Sequence, residues 1–249
     1  MGSMNTPPVP HNPAPPTLTP AALRVEQHVT LNTPRRRPNA VLVVLNLFIS
    51  VLYGRRASLQ KFLVLEHLAQ VPYRSWERVA QRRIARTRGR SGLARRVQVR
   101  VAEARASHDN EQWHMLVMED LLSRRNHRLA RFRFRVLPRV IAAPWHVTTW
   151  LLHIISPASS YALNAAFEDH AEHEYMRFVA ANPQFDRLSY SGDLADRWNY
   201  PVTVADVLRQ IGHDERCHKL DSIDAANAER GVRPDVAATP SDEQLDAAA

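Results

Sequence analysis

The chain has 249 residues, 45% of them hydrophobic, which is enough for one domain with a substantial core. Its formal net charge is +8 and its basic residues are almost all arginines, so an anionic partner such as a phospholipid surface or a nucleic acid is indicated. The single cysteine, Cys217, excludes an intrachain disulfide framework, and the 7 glycines favour helices over sheets.

The N-terminal part of the chain changes character at about residue 39. Residues 1–38 are rich in proline, which cannot occupy the interior of a regular helix, so we predict that they are disordered or lie along the surface. The run from Ala40 to Tyr53 is apolar except for two polar residues. It is too short to span a bilayer, which needs about 20 residues, so we expect a buried or interfacial helix near residues 39–56.

Five further helical segments are predicted in chain order, because no stretch alternates over the length of a strand. The third, from Val136 to Ile155, is apolar but interrupted by prolines, and the fifth has a plausible N-cap at Thr203. We expect a basic connection over residues 78–100, one domain over residues 39–230 and a polar tail over residues 231–249. The five predicted segments are residues 58–68, 102–125, 136–155, 159–181 and 203–229.

Two Glu-x-x-His pairs lie in the second and the fifth of these segments. They are Glu111 with His114, and Glu215 with His218. Residues i and i+3 share one face of a helix, so each pair directs a carboxylate and an imidazole toward one point.

A single glutamate in a predicted helix precedes each pair. Glu66 lies 45 residues before Glu111, and Glu168 lies 47 residues before Glu215, so one helix–turn–helix excursion fits each gap. Two single glutamates and two Glu-x-x-His pairs form the ligand set of di-iron and di-manganese carboxylate sites. Four carboxylates and two imidazoles suit iron or manganese better than zinc. We therefore predict an all-α, ferritin-like four-helix bundle that holds two iron ions, with manganese as an alternative, and two additional interfacial helices.

Four motifs around these ligands resemble those of the alternative oxidases, which are membrane-bound di-iron quinol oxidases related to the plastid terminal oxidases. Leu65-Glu66-His67 stands in place of the family's Leu-Glu-Thr, and residues 110–115 stand in place of Asn-Glu-Arg-Met-His-Leu. Residues 167–175 are similar to Leu-Glu-Glu-Glu-Ala-x-His-x-Tyr, and residues 212–218 are similar to Arg-Ala-Asp-Glu-Ala-x-His. The resemblance extends in the correct order from Ser58 to Ser222.

The resemblance implies a role for each matched residue. Tyr175 matches the family's catalytic tyrosine, and Asn110 and Asp214 match residues that hold the ligand histidines by hydrogen bonds. The implied iron ligands are Glu66, Glu111, His114, Glu168, Glu215 and His218.

The residues that correspond to the family's quinol pocket are less similar than the metal ligands. Leu65 and Ala171 fit the family pattern, whereas Lys61 replaces an arginine, His170 a glutamate and Glu174 a threonine. Lysine keeps the charge of arginine but loses the guanidinium fork. Two other interpretations therefore stay open: a di-iron oxidase or oxygenase that acts on a different small molecule, and a non-enzymatic membrane-surface protein whose metal serves structure or storage.

By resemblance, we expect oxidation of a quinol coupled to reduction of O2 to water without proton pumping, and a tendency to form homodimers. Both apolar segments are flanked by arginines, as is typical of interfacial helices on anionic lipid. We expect monotopic association with the cytoplasmic face of a bacterial inner membrane, in preference to the mitochondrial inner membrane. The arginine run from Arg78 to Arg105 lacks interleaved aromatic residues, so no nucleic-acid partner is expected.

Overall fold

The structure is a computed structural model, and it describes residues 15–86, 91–124, 130–192 and 194–232. These residues are almost entirely helical, so the predicted all-α class is confirmed. A π-helical segment, Phe132–Val136, precedes α5, and the strands Ser189–Tyr190 and Val202–Thr203 form one short antiparallel pair. The α-helices are α1 (Pro20–Asn32), α2 (Ala40–Tyr53), α3 (Leu59–Arg86), α4 (Ser91–Arg124), α5 (Leu137–Ile155), α6 (Pro157–Ala180) and α7 (Val204–Glu229).

We predicted that residues 1–38 are disordered or lie along the surface, and the first alternative is wrong for α1. Helix α1 begins with a proline in its first turn, where a missing N–H costs nothing, and Thr19 caps it. Leu23 and Thr30 are fully buried, because α1 packs on α6 and α7. Buried contacts far away in the sequence stabilise this helix, and the proline count did not reveal them. Residues 1–14 and 233–249 lie outside the described residues.

Helix α3 continues through Pro72, although we predicted that it would stop there and that a connection would occupy residues 78–100. Proline lacks an N–H, so Pro72 leaves the carbonyl of Leu68 without its helical donor. The indole Nε1 of Trp145 on α5 donates to that carbonyl at 3.2 Å. A tertiary hydrogen bond thus replaces the missing helical one. Helix α3 extends to Arg86, and α4 begins at Ser91.

The long helices pack mainly as two pairs, α3 with α4 and α6 with α7, and the two pairs face each other across buried polar side chains. The start of α7 is fixed by a capping box, in which Thr203 and Asp206 bond each other's backbone N–H groups, as the predicted N-cap requires. Ser156 caps α6, and a proline occupies its first turn. These caps fix where the two helices begin and so set the axial position of the side chains they carry.

Helices α2 and α5 leave apolar side chains exposed on the outside of this core. Exposed residues of α2 include Val44, Leu47 and Val51, and exposed residues of α5 include Val140 and Ile155. The hydroxyl of Tyr53 donates to the carbonyl of Arg133 at 2.8 Å, which joins the end of α2 to the segment that leads into α5. No helix among the described residues is both long and apolar enough to cross a membrane.

Candidate metal centre

The six predicted ligands meet in the space between the two helix pairs, and all of them are buried. Helix α3 supplies one, α4 two, α6 one and α7 two. Their donor atoms form two groups, each with every donor within 4.8 Å of the others. The first group is Glu66, Glu111, His114 and Glu215, and the second is Glu111, Glu168, Glu215 and His218.

Glu111 and Glu215 belong to both groups, and each offers a different oxygen to each histidine. His114 Nδ1 lies 3.4 Å from Glu111 Oε2 and 3.2 Å from Glu215 Oε1. His218 Nδ1 lies 2.7 Å from Glu111 Oε1 and 3.7 Å from Glu215 Oε2. Ligand atoms at about 2.0–2.2 Å from one ion lie roughly 3 Å apart from each other. The arrangement therefore fits two metal ions bridged by two carboxylates, with Glu66 and Glu168 at the outer positions.

The hydrogen bonding of these atoms also fits a metal centre. Among the described residues, most of the converging ligand atoms have no hydrogen-bond partner, although they are buried. A buried and unpaired carboxylate is costly, so four of them in one space need cations. The buried atoms without a hydrogen-bond partner are Glu66 Oε2, both oxygens of Glu111, His114 Nδ1, Glu168 Oε2, both oxygens of Glu215 and both ring nitrogens of His218.

The pKa values of the ligands also show that these buried carboxylates are difficult to ionise together. Burial and the nearby charge of Glu215 raise the pKa of Glu66 to about 8, and burial with the same neighbour raises the pKa of Glu168. Burial also opposes ionisation of Glu111, but the adjacent imidazoles of His114 and His218 lower its pKa overall. Without a metal, the carboxylates cannot all be ionised together. Bound cations favour the ionised carboxylates, so the donor set could hold metal ions.

The far side of His114 is held in place by Asp214. Nε2 of His114 lies 3.2 Å from Asp214 Oδ2, and the amide of Asn110 donates to the same oxygen at 3.2 Å. Gln210 donates to Oδ1 at 2.7 Å, and Arg197 donates to Oδ2 at 3.2 Å. The sequence indicated Asn110 and Asp214 but gave no sign of Gln210 or Arg197. This network orients the imidazole so that Nδ1 faces the other ligands.

Two tyrosines bind the outer glutamates. The hydroxyl of the predicted catalytic residue Tyr175 donates to Glu66 Oε1, and its ring stacks on Phe62 with centroids 4.1 Å apart. The hydroxyl of Tyr73 donates to Glu168 Oε1 at 2.9 Å, and our sequence reasoning missed it. A signal was present: Tyr73 follows Glu66 by seven residues, as Tyr175 follows Glu168. Each tyrosine thus bonds the glutamate of the opposite helix.

The predicted quinol-pocket residues lie on α3 and α6. Lys61, His170 and Glu174 influence one another electrostatically, and burial lowers the pKa of His170 to about 4. Arg35, which precedes α2 and which the sequence did not indicate, forms an ion pair with Glu174 at 2.5 Å. Lys61 Nζ donates to the backbone carbonyl of Gly54 at 3.2 Å. Leu65 and Ala171, which adjoin this set in the sequence, are buried.

A third acidic group, Asp169 with Glu172 and His173, already contains cations from the chain itself. Lys219 Nζ bonds Glu172 and lies 3.3 Å from Asp169 Oδ1. Arg216 donates to Glu172 at 3.0 Å. These cations pair with the carboxylates, so this group does not need a metal ion to balance its charge.

No protein-family model matches this chain, and a search of curated proteins finds no significant match.

Proposed function

We propose that this chain is a membrane-associated di-iron quinol oxidase, which oxidises two quinols to two quinones and reduces one O2 to two waters without pumping protons. The observation that carries the proposal is the shared use of Glu111 and Glu215 by both ligand groups. Two ions bridged by carboxylates can act together on one O2 molecule. The motif resemblance to the alternative oxidases supports the same function.

The four helices α3, α4, α6 and α7 would form a ferritin-like bundle around the ions. The donor set contains four carboxylates and two imidazoles, which suits iron, with manganese as an alternative, better than zinc. When bound, two iron ions would supply the redox chemistry with O2. The four carboxylates balance the charge of two divalent ions, so a neutral cluster can lie in a buried space.

The residues of the chain position this chemistry and exclude water from it. Glu111 and Glu215 would contribute ligand oxygens to both ions, and the contact of Asp214 with Nε2 of His114 would leave Nδ1 free for metal. Tyr175 holds its phenol proton at Glu66 Oε1 beside the centre, where a tyrosine can give up an electron and a proton. All of these side chains are buried, which protects reactive species from solvent.

The apolar faces of α2 and α5 would place the protein in one leaflet of a membrane. Both helices carry exposed valines and leucines, and the exposed arginines Arg55, Arg56, Arg135 and Arg139 lie near them in the sequence. An apolar face with a basic rim binds anionic lipid at the interface. The cytoplasmic face of a bacterial inner membrane fits this arrangement, and a lipid-facing position lets a hydrophobic quinol reach the bundle. Homodimer formation and the lack of a nucleic-acid partner stay predictions from the sequence.

The second candidate is a di-iron oxidase or oxygenase that acts on a different small molecule. It is favoured by the charges where the family binds quinol: Lys61, His170 and Glu174, with Arg35 paired to Glu174. A neutral quinol head group does not need this number of charges, whereas a charged or more polar substrate would use them.

The test combines metal analysis with oxygen uptake. The full chain is purified in mild detergent, its iron content is measured, and oxygen uptake is followed with a short-chain ubiquinol. Glu111→Ala removes a shared ligand, and Glu119→Ala, an exposed glutamate on the same helix, is the matched control. We expect two irons per chain and uptake that depends on Glu111 but not on Glu119. Two irons without quinol-driven uptake would favour the second candidate or a non-enzymatic metal protein, and a chain that binds no metal would overturn the proposal.

A further inference from the structure

A cavity with a volume of about 420 Å³ lies outside the candidate metal centre. Helices α3 to α7 all contribute to its wall, and none of the six metal ligands lines it. Trp76, one of the lining residues, contacts the ring of Tyr73 with centroids 5.1 Å apart. The volume lies within the range of about 300–1,000 Å³ that is usual for small-molecule sites. The aromatic and charged residues of the lining are Trp76, Arg83, Arg100, His153, Tyr161 and Glu229.

His153 is the buried polar group of this cavity. Its side chain is only 4% exposed, and Nδ1 has no hydrogen-bond partner among the described residues. Burial and the nearby guanidinium of Arg83 lower the pKa of His153 to about 4, so the ring is neutral at neutral pH. A buried nitrogen without a partner is unfavourable, and a ligand atom at this point would satisfy it.

Aromatic rings form the walls around His153. The centroids of Trp76 and Tyr161 lie 4.5 Å apart with their planes at 61°, and those of His153 and Tyr161 lie 5.3 Å apart at 88°. The indole N–H of Trp76 already donates to Ser160 at 2.8 Å. Trp76 therefore offers the cavity apolar ring surface and no further polar group, which suits a flat organic ligand.

The charges of the cavity favour a ligand with one negative charge. Arg100 donates to Glu103 at 2.9 Å, so its charge is already balanced. Arg83, in contrast, forms no hydrogen bond or ion pair within the part of the chain that the structure describes, and it lies close enough to His153 to influence its pKa. Glu229 also lines the cavity, but its charge acts on Arg100 and not on His153, so a single negative charge is favoured beside Arg83 and His153.

We propose that this cavity binds a small planar organic monoanion, such as an aromatic carboxylate, independently of the metal centre. The carboxylate lies between the guanidinium of Arg83 and Nδ1 of His153, which donates a hydrogen bond to it. The flat body of the ligand packs against Trp76 and Tyr161. We assign no reaction to the bound ligand.

The experiment uses 2-naphthoate as the probe and isothermal titration calorimetry of the full chain in mild detergent, with a titration of detergent alone subtracted. We expect saturable binding of one 2-naphthoate per chain. The neutral 2-naphthamide has the same shape, and we expect it to bind at least tenfold more weakly. Equal affinity for the acid and the amide would overturn the proposed recognition of an anion.

Matched variants locate the site. Arg83→Gln should weaken 2-naphthoate binding at least tenfold, whereas Arg82→Gln, which removes the neighbouring arginine above Trp150, should leave it unchanged. Arg83 is exposed, so we expect Arg83→Gln to keep the fold, and its circular dichroism spectrum checks this. Ala80→Leu fills part of the cavity and should also reduce binding while the circular dichroism spectrum stays the same. Equal losses in the Arg82 and Arg83 variants, or no saturable binding to the unmodified chain, would overturn the proposal.

Discussion

The two ends of the metal centre have the same outer ligand but different surroundings. At one end, Glu66 accepts a hydrogen bond from Tyr175, whose ring is stacked on Phe62. At the other end, Glu168 accepts hydrogen bonds from both Tyr73 and Asn164, each at 2.9 Å. Asn164 also donates to Ser222 at 3.1 Å. A polar network therefore holds Glu168, whereas a single phenol holds the oxygen of Glu66.

The two ligand histidines also differ in how firmly hydrogen bonds hold them, but here the end that contains Glu66 has the more firmly held residue. Asp214 holds Nε2 of His114, and Asp214 is itself fixed by three other side chains. Nε2 of His218 has no hydrogen-bond partner in the described part of the chain. Each end of the centre thus contains one restrained ligand and one less restrained ligand. The comparison teaches that a nearly symmetric set of candidate ligands can still have two unequal ends.

The largest expected effect comes from the ligands that the two ends share. Glu111→Ala should remove one bridging ligand from both ions, so we expect metal content to fall from two ions per chain to nearly none. Glu168→Ala removes an outer ligand from one end only, and about one ion should remain. Metal analysis of the purified variants by mass spectrometry measures the difference. Equal losses in the two variants would contradict the assignment of Glu111 as a shared ligand.

The next largest effect is expected from the hydrogen bond that holds His114 and has no counterpart at His218. Asp214→Asn should weaken metal binding at the His114 end by about 10–100-fold, the usual effect of losing a residue that orients a ligand. Competition with a chelator of known affinity measures it. Asp224→Asn changes an exposed aspartate on the same helix and serves as the control. If Asp214→Asn weakened the binding of both ions equally, metal binding at the two ends would be coupled more strongly than their hydrogen bonds suggest.

The contribution of the six ligands to the pH dependence of stability should have opposite signs with and without metal. Glu66 has a pKa of about 8 in the metal-free fold, against an ordinary value of 4.5, so its contribution to stability is complete at low pH and is lost as pH rises through this window. His114 and His218, whose pKa values are raised above 6.5 by neighbouring carboxylates despite burial, act in the same direction. These three groups should therefore lower the thermal stability of the metal-free protein as pH rises from about 5 to about 8. Burial lowers the pKa values of His153 and His170 from 6.5 to about 4, so these two histidines act in the opposite direction below pH 6.5.

Metal binding reverses this trend, because it needs ionised carboxylates and neutral imidazoles. The increase in Tm on adding Fe(II) or Mn(II) should therefore grow over the same pH range. Thermal melts with chelator and with metal, recorded without O2, measure both slopes. Glu66→Gln should flatten the metal-free slope, whereas Glu119→Gln should not. A metal-free slope that was the same in Glu66→Gln as in the unmodified chain would contradict the raised pKa of Glu66.

Local spacing predicted the ligands well because helical periodicity decides which side chains share a face. Glu-x-x-His needs only a helix to bring its two side chains together, and all six predicted ligands do converge. Tyr73 was missed although its spacing from Glu66 was visible in the sequence, but the other features that were missed depend on contacts between distant parts of the chain. Arg35 donates to Glu174, which lies 139 residues later in the sequence. Trp145 donates to the carbonyl of Leu68, 77 residues earlier, which Pro72 leaves without its helical donor. No pattern within one segment contains that information.

The smallest expected effect separates the two tyrosines. Tyr175→Phe and Tyr73→Phe each remove one hydrogen bond to an outer glutamate, so each should cost about 1 kcal/mol of stability. Glu168 keeps the hydrogen bond from Asn164 in Tyr73→Phe, whereas Glu66 Oε1 loses the one side-chain donor that the structure gives it in Tyr175→Phe.

Under the proposed function, Tyr175→Phe should therefore lower quinol-driven oxygen uptake at least tenfold with the metal retained, and Tyr73→Phe should lower it only a few-fold. Metal content, Tm and oxygen uptake measured on the same samples distinguish these cases. Equal loss of uptake with both ions in place would mean that the two phenols do equivalent chemistry. The different surroundings of Glu66 and Glu168 would then affect only metal affinity.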